Sequence, residues 1–355
     1  MFRHLTFLTA LLFAPSVSVA QDPADSARAL FVDRMTSLNV PGAQLVVMRG
    51  DETVLAVEWG RADSARQRPV TAATLFRVGS ISKLFTATAA ALLWERGQLD
   101  IDGPVDRLVP EFKPGSGRIT PRLLAGHLAG VRHYIGRDFA VAPRGWRDVI
   151  GPLSLFAADS LQHLPGAKYL YSSFGYNLLG AVIQRAGGKD FRALVADLVT
   201  APMGLRLTHA HRADSGGGAV AAGFGPGSNQ TIELASATDL SDRWPSGGYL
   251  STAGELARFG VASVKGPNLS KRVRELLFTP MNIDGLSTGV GFGWRVGKDT
   301  HQRVVYHHGG SSVGGRAMVV VWPDAALAVA ITTNLTGARF GEAEAIAIGE
   351  LLLTP

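Results

Sequence analysis

Phe76-Arg77-Val78-Gly79-Ser80-Ile81-Ser82-Lys83 runs straight into Leu84-Phe85-Thr86-Ala87-Thr88-Ala89-Ala90-Ala91-Leu92-Leu93-Trp94, and the reading of this stretch decides the rest. Its second half is apolar on nearly every face at helical period, which predicts a helix buried all round. Glu95-Arg96 fill the last turn and Gly97 closes it. Ser80 and Lys83 stand at the mouth of that helix, at a spacing that puts both on one face. A serine hydroxyl is a weak nucleophile until a base takes its proton. A neutral lysine amine can be that base. A helix N-terminus disfavours a cation and favours a developing alkoxide, so it helps both partners. The competing reading is a serine cap followed by a surface lysine. Two features weigh against it. The chain has only 7 lysines against 28 arginines. And this lysine adjoins the most apolar helix of the protein, where burying a charge is costly.

Outward from this stretch, strands lie towards both ends and helices in the middle. Gln44 to Met48 and Val54 to Val57 predict a hairpin turning at Arg49-Gly50-Asp51. Pro121 to Leu128, Tyr176 to Ala186, Phe191 to Val199 and Thr252 to Val264 predict helices, the last capped by Thr252. Ser215 to Gly227 is glycine-rich and reads as a surface loop. Gly291 to Val296, Val304 to His307, Ala317 to Trp322 and Leu327 to Thr333 predict strands, with Pro323-Asp324 turning the last two. Glu342 to Leu353 predicts a closing helix.

The 355 residues, 46% of them apolar, can bury a large core, roughly three quarters of the unfolded surface. With no cysteine, disulfide scaffolds, thiolate metal sites and cysteine nucleophiles are excluded. The net charge of +6 comes from arginines spread singly, without a basic run or interleaved aromatics. That reads as a solvated surface and not as a nucleic-acid site. Met1 to Ala20 has a basic start at Arg3, an apolar core from Leu5 to Ala14 and small residues at Ser18-Val19-Ala20. This is the pattern of an export signal cut after Ala20. The core is too short to span a bilayer, which takes about 20 apolar residues. The expected mature protein is periplasmic or secreted, with no stable membrane insertion.

Three further segments complete a constellation. Tyr171-Ser172-Ser173 follows Pro165-Gly166. His308-Gly309-Gly310 lies between two predicted strands and precedes Ser311. Leu124-Ala125-Gly126-His127-Leu128-Ala129-Gly130-Val131 and Gly247-Gly248-Tyr249-Leu250-Ser251-Thr252 occupy the intervals. In this order the segments resemble the motifs of the serine β-lactamase/penicillin-binding superfamily. Within it the chain is most similar to the class C β-lactamase, D,D-carboxypeptidase and esterase branch (peptidase family S12), which includes LACTB-type proteins. The resemblance covers most of the chain after Ala20.

The resemblance implies a mixed α/β (α+β) fold of the β-lactamase/transpeptidase type. Its antiparallel sheet is built from both chain ends, flanked by helices, with an inserted, mainly helical lobe. Residues 21–83 and 245–355 would form the α/β part and 84–244 the lobe. It implies Ser80 as acylated nucleophile, Lys83 as its activator and Tyr171 as general acid/base. Ser173, His308, Gly310 and Ser311 would bind substrate, with the oxyanion held by the Ser80 and Ser311 backbone N–H groups. No cofactor or metal is implied, and the partner is a small-molecule or peptide substrate. The chain departs from the family pattern twice. Serine stands at 173 where many members carry asparagine, and histidine at 308 where β-lactamases usually carry lysine. Both favour cleavage of a peptide, D-amino-acid amide or ester over β-lactam hydrolysis. The non-enzymatic alternative is a silent member that binds peptidoglycan or self-assembles.

Other residues admit blander readings. Gly310-Ser311-Ser312-Val313-Gly314 matches G-x-S-x-G, but a strand follows where the hydrolase elbow needs a helix, and no histidine follows His308. His209 and His211 could ligate a metal but have no third ligand nearby in sequence. His127 reads as a structural histidine satisfying backbone groups. His307 and His308 point to opposite faces of a strand, so only one can face the site. Trp294 and Tyr249 line a cleft or belong to the core.

Overall fold

The computed structural model describes residues 22–353 apart from 64, 66, 115–116, 140–144, 213–218, 229–230 and 237. The expected export signal lies outside the described residues.

Helix α1 (Pro23–Ser37) starts at Asp22, whose carboxylate caps the Ala24 N–H. Strands β1 (Gly42–Arg49) and β2 (Glu52–Gly60) form the expected hairpin. The short β3 (Phe76–Arg77) leads through a 3-10 turn, Gly79–Ile81, into α2 (Ser82–Glu95). Helices α3 (Pro121–Ala125), α4 (Gly136–Phe139), α5 (Ser173–Gly187) and α6 (Phe191–Val195) follow, the last continuing as a π turn over Ala196–Thr200. Next come β4 (His209–Ala210), β5 (Phe224–Pro226), β6 (Ile232–Leu234), α7 (Trp244–Gly247) and β7 (Tyr249–Ser251). The chain ends with α8 (Ala253–Lys265), α9 (Lys271–Phe278), β8 (Asn282–Ile283), β9 (Leu286–Ser287), β10 (Arg295–Lys298), β11 (Val304–Ser312), β12 (Gly315–Trp322), β13 (Leu327–Thr333) and α10 (Glu342–Leu353).

The main sheet runs β10-β11-β12-β13-β1-β2, antiparallel throughout. The N-terminal hairpin thus joins the C-terminal meander where β1 pairs β13, with Leu45 opposite Ile331. One face of the sheet packs on α1 and α10 through Phe31, Val47, Trp322 and Ile348. The other packs on α8 and, beyond it, α2. Helix α2 is buried from Ser82 to Leu93, and burial on all sides rather than one stripe explains its uniform apolarity. Gly97, at φ 71°, closes it with a bond from Gln98 N–H to the Leu93 carbonyl.

Several expectations need correction. The strand expected over Gly291 to Val296 begins only at Arg295. Gly293 has φ 98°, which breaks an extended run. The strand expected to stop at His307 continues to Ser312, because pairing with β12 carries Gly309 and Gly310 through. His308-Gly309-Gly310 therefore lies within a strand, not between two. Within the expected loop Ser215 to Gly227, residues 215–218 lie outside the described residues, while Phe224–Pro226 pairs with β6. Among the described residues no helix is long and apolar enough to cross a membrane.

Candidate active site

Three elements meet around Ser80. The turn before α2 carries Ser80 itself, the start of α5 follows Tyr171, and β11 runs alongside. Close backbone approach makes this possible. A Cβ on Gly310 would lie 1.8 Å from the Val78 carbonyl oxygen, and one on Gly79 2.6 Å from the Ser311 nitrogen. Neither could be accommodated without parting the strand from the turn. Strand β11 also overruns β10, whose pairing stops at His307 opposite Arg295. Residues 308–312 therefore present an open edge beside Ser80. They help line a cleft of about 1050 Å³ together with Ser80, Tyr171, Ser173 and His133.

The side chains converge on one oxygen. Lys83 Nζ lies 3.0 Å from Ser80 Oγ, and the Tyr171 hydroxyl donates to the same oxygen at 2.8 Å. Lys83 Nζ also lies 3.0 Å from Ser173 Oγ and donates to the Ser246 carbonyl at 2.6 Å. All its partners are neutral. Lys83 is fully buried, and burial pushes its amine well below the ordinary lysine value. The rings of Tyr171 and Tyr176, 5.0 and 5.6 Å from Nζ, offer a cation a counterweight of only about 0.5–2 kcal/mol. Burial raises the Tyr171 phenol, against smaller opposing effects of the Ser80 bond and the Arg295 charge. The resting site thus favours a neutral amine and a neutral phenol, both touching the serine.

Three histidines surround Tyr171. Its ring centroid is 4.4 Å from that of His127, 5.4 Å from His133 and 6.5 Å from His308. His308 is buried, and its Nδ1 lies 2.6 Å from the Gly309 carbonyl. A carbonyl only accepts, so Nδ1 carries the proton of the neutral ring. Burial, the largest cause, lowers His308 to about 3. His307 turns to the other face of β11, towards Glu342 at 3.3 Å.

The sequence profile of the Beta-lactamase family matches residues 27–353. The chain belongs to that family. As a Beta-lactamase family member it is 26% identical to the serine beta-lactamase-like protein LACTB of Bos taurus mitochondria, over 84% of this chain and 72% of that one. It is 32% identical to esterase EstB of Burkholderia gladioli, over 50% of this chain and 49% of the esterase. The match thus spans about half the length of EstB, and it spans 57% of mouse LACTB. The fold is shared with a D-stereospecific amidohydrolase from Streptomyces sp., with a TM-score of 0.76 at 23% identity over 94% of this chain and all of that one.

Ser80, Lys83, Tyr171, Ser173, His308, Gly310 and Ser311 all gather at this cleft or on its walls. Trp294 and Tyr249 are core residues, 0% and 2% exposed. His127 accepts the Ser172 N–H at 3.1 Å through Nδ1, the structural part read for it in the sequence. His209 Nδ1 faces the Leu207 carbonyl at 2.8 Å. The Gly310–Gly314 segment is strand and hairpin turn. Sequence reasoning missed His133, Tyr134, Ser246 and Arg295, which also line the cleft. The Ser246 contribution is a backbone oxygen, which leaves no side-chain signal. His133 follows the Leu124–Val131 segment by two positions, the one available hint.

Proposed function

We propose that this family member is an exported serine hydrolase that forms an acyl-enzyme on Ser80 and cleaves a peptide, a D-amino-acid amide or an ester. The observation that carries the reading is the pair of contacts on Ser80 Oγ, from Lys83 at 3.0 Å and Tyr171 at 2.8 Å. A neutral Lys83 has two N–H groups and one lone pair. The Ser246 carbonyl takes one N–H and Ser173 Oγ the other, so the lone pair is left for the Ser80 proton. Ser80 Oγ attacks the substrate carbonyl carbon as its proton passes to Lys83, and the carbonyl electrons move onto oxygen. The Ser80 and Ser311 N–H groups are the donors assigned to that oxyanion. Collapse breaks the bond to the leaving nitrogen or oxygen. Tyr171 supplies the leaving group's proton and regains one from Lys83. Water then adds to the ester by the reverse route, giving the free acid and Ser80.

On this reading the cleft lies between an α/β part, residues 21–83 and 245–355, and a mainly helical part, 84–244. The names of the similar esterase and amidohydrolase support ester and D-amide substrates. Export rests on Met1 to Ala20, and N-terminal sequencing of the mature protein should begin at Gln21. The test of the chemistry is intact-mass spectrometry after a fluorophosphonate, beside Ser80→Ala. A Ser80-dependent adduct supports the reading, and a folded, unlabelled wild type favours a binding module. The second reading, β-lactam hydrolysis, has the family's own name behind it. It requires that a β-lactam adduct forms and clears while the drug is consumed. A persistent adduct supports a peptidase-like site instead.

A further inference from the structure

Tyr171 is followed directly by Ser172 and Ser173, and two imidazoles hold the amides of those serines. The Ser172 N–H donates to His127 Nδ1 and the Ser173 N–H to His133 Nδ1, each at 3.1 Å. Ser172 Oγ donates to the Arg132 carbonyl at 2.8 Å. Three bonds thus tie the loop 127–133 to Ser172 and Ser173, next to Tyr171. The loop is itself anchored. Arg132 pairs with Asp138 at 2.6 Å and with Asp159 at 2.5 Å, largely out of solvent. His127 sits at φ 60°, in the left-handed region that few non-glycine residues adopt. Such strain persists where the surroundings impose it and clusters at functional sites.

Each Nδ1 accepts a backbone N–H, so each neutral ring carries its proton on Nε2. The His133 ring helps line the cleft. The ring stacks on Tyr134 at 5.2 Å and meets the Tyr171 ring edge-on at 5.4 Å.

We propose that His133 is a positioning residue: through the Ser173 amide, and in concert with His127 on the Ser172 amide, it holds the Tyr171 hydroxyl and Ser173 in register with Ser80 and Lys83. The proposal rests on the acyl-enzyme reading. Its physical content is the acceptor atom. With no acceptor at that point the Ser173 amide is released, and a shift near 1 Å in the tyrosine costs about 100-fold in rate. Protonation has the same effect, because an imidazolium Nδ1–H would face a second donor. His133 must therefore be neutral for the site to be assembled. The titratable groups acting on it are Lys83 and Asp138. Those acting on His127 are Lys83, His308, Arg295 and His133, with Tyr169, Tyr171 and Tyr176 around its ring.

Asparagine places Oδ1 where histidine has Nδ1, so it accepts the same amide but takes up no proton. Alanine accepts nothing. The test compares wild type, His133→Ala and His133→Asn in fluorophosphonate acylation rate and in kcat and KM for a p-nitrophenyl ester from about pH 5 to 9. His133→Ala should lose about 10- to 100-fold in acylation and kcat with KM changed less than about threefold. His133→Asn should stay within about fivefold of wild type, with its acid limb moved to lower pH. An alanine variant within about twofold of wild type overturns the proposal. So does an asparagine variant as slow as alanine, which would make ring packing the cause. If alanine does not fold, the acid limb of the asparagine variant decides, and an unmoved limb counts against the proposal. A wild type that neither labels nor hydrolyses the ester overturns the acyl-enzyme reading and this proposal with it.

Discussion

Lys83 Nζ lies 2.6 Å from the Ser246 carbonyl oxygen, deep in the core, with no carboxylate beside it among the described residues. A carbonyl can orient an amine but cannot neutralise a cation. The fold therefore holds this lysine where its neutral form is favoured, which is what a base for Ser80 requires.

Lys83→Met keeps the aliphatic bulk and removes the nitrogen. Ester kcat/KM should fall about 10²- to 10⁴-fold, the usual worth of a positioned base. The same burial has a stability signature. The folded pKa lies below the unfolded value of 10.5, so the unfolded chain binds more protons between the two. The lysine's contribution to stability is full above that value and is lost as pH falls to the folded one. Wild-type denaturant stability should therefore rise with pH on the alkaline side of neutrality, below the tyrosine range, and Lys83→Met should flatten that rise. Parallel curves would mean the amine is charged in the folded protein.

Tyr171→Phe separates chemistry from packing. The phenyl ring can keep its contact with His127 at 4.4 Å, while the bond to Ser80 Oγ disappears. One such bond is worth about 1 kcal/mol of stability, and release of a buried phenol offsets part of that. Thermal stability should stay near wild type while turnover falls about 10²- to 10⁴-fold. A variant that turns over at the wild-type rate would leave Lys83 as the sole proton carrier.

Much of this site is legible in the sequence, and the reason is local. Ser80 and Lys83 are one helical turn apart, and the apolar run behind them marks the helix as buried. The hairpin β1–β2 and the strands β12 and β13 follow from alternation, apolar runs and turn residues. What escapes is set by tertiary partners. Gly309, Gly310, Ser311 and Ser312 look like a loop, yet pairing with Ala317 and its neighbours extends β11 through them. Helix α1 buries only Ala27, Phe31 and Met35, a stripe one residue wide, and passed unread. His133 acts on a backbone amide forty positions away, and no spacing rule reaches that far.

Gly310→Ala tests the close approach of β11 to the Ser80 turn. The added methyl would sit 1.8 Å from the Val78 carbonyl oxygen and 3.0 Å from the Ser80 nitrogen. The strand must retreat, taking the Ser311 N–H with it. Acylation should drop by about 100-fold or more, and stability by about 1–3 kcal/mol from overpacking. Gly136→Ala, where a Cβ meets nothing within 4 Å, is the control and should leave both unchanged. An active Gly310→Ala protein would show that the turn and strand need not touch.

Histidine burial predicts acid sensitivity above the carboxylate range. His308 is lowered to about 3 and His307 to about 4, mainly by burial, and His127 and His133 shift the same way. Each folded value lies below the unfolded one, so each contributes stability that is full above the unfolded value and lost as pH falls. A histidine kept neutral by the fold costs about 1.4 kcal/mol per pH unit below about 6.5. Asp299, held at about 2 chiefly by the Trp322 and Arg303 hydrogen bonds against desolvation, weakens the fold only at lower pH. From about pH 7 down to 5 the urea midpoints thus report mainly on the histidines, with Glu342, raised by burial, acting in the opposite sense. Wild type should lose stability steeply there and His308→Asn less so, the two curves converging as pH falls. Curves that stay parallel would show that His308 accepts its proton without cost and is not held neutral beside Lys83.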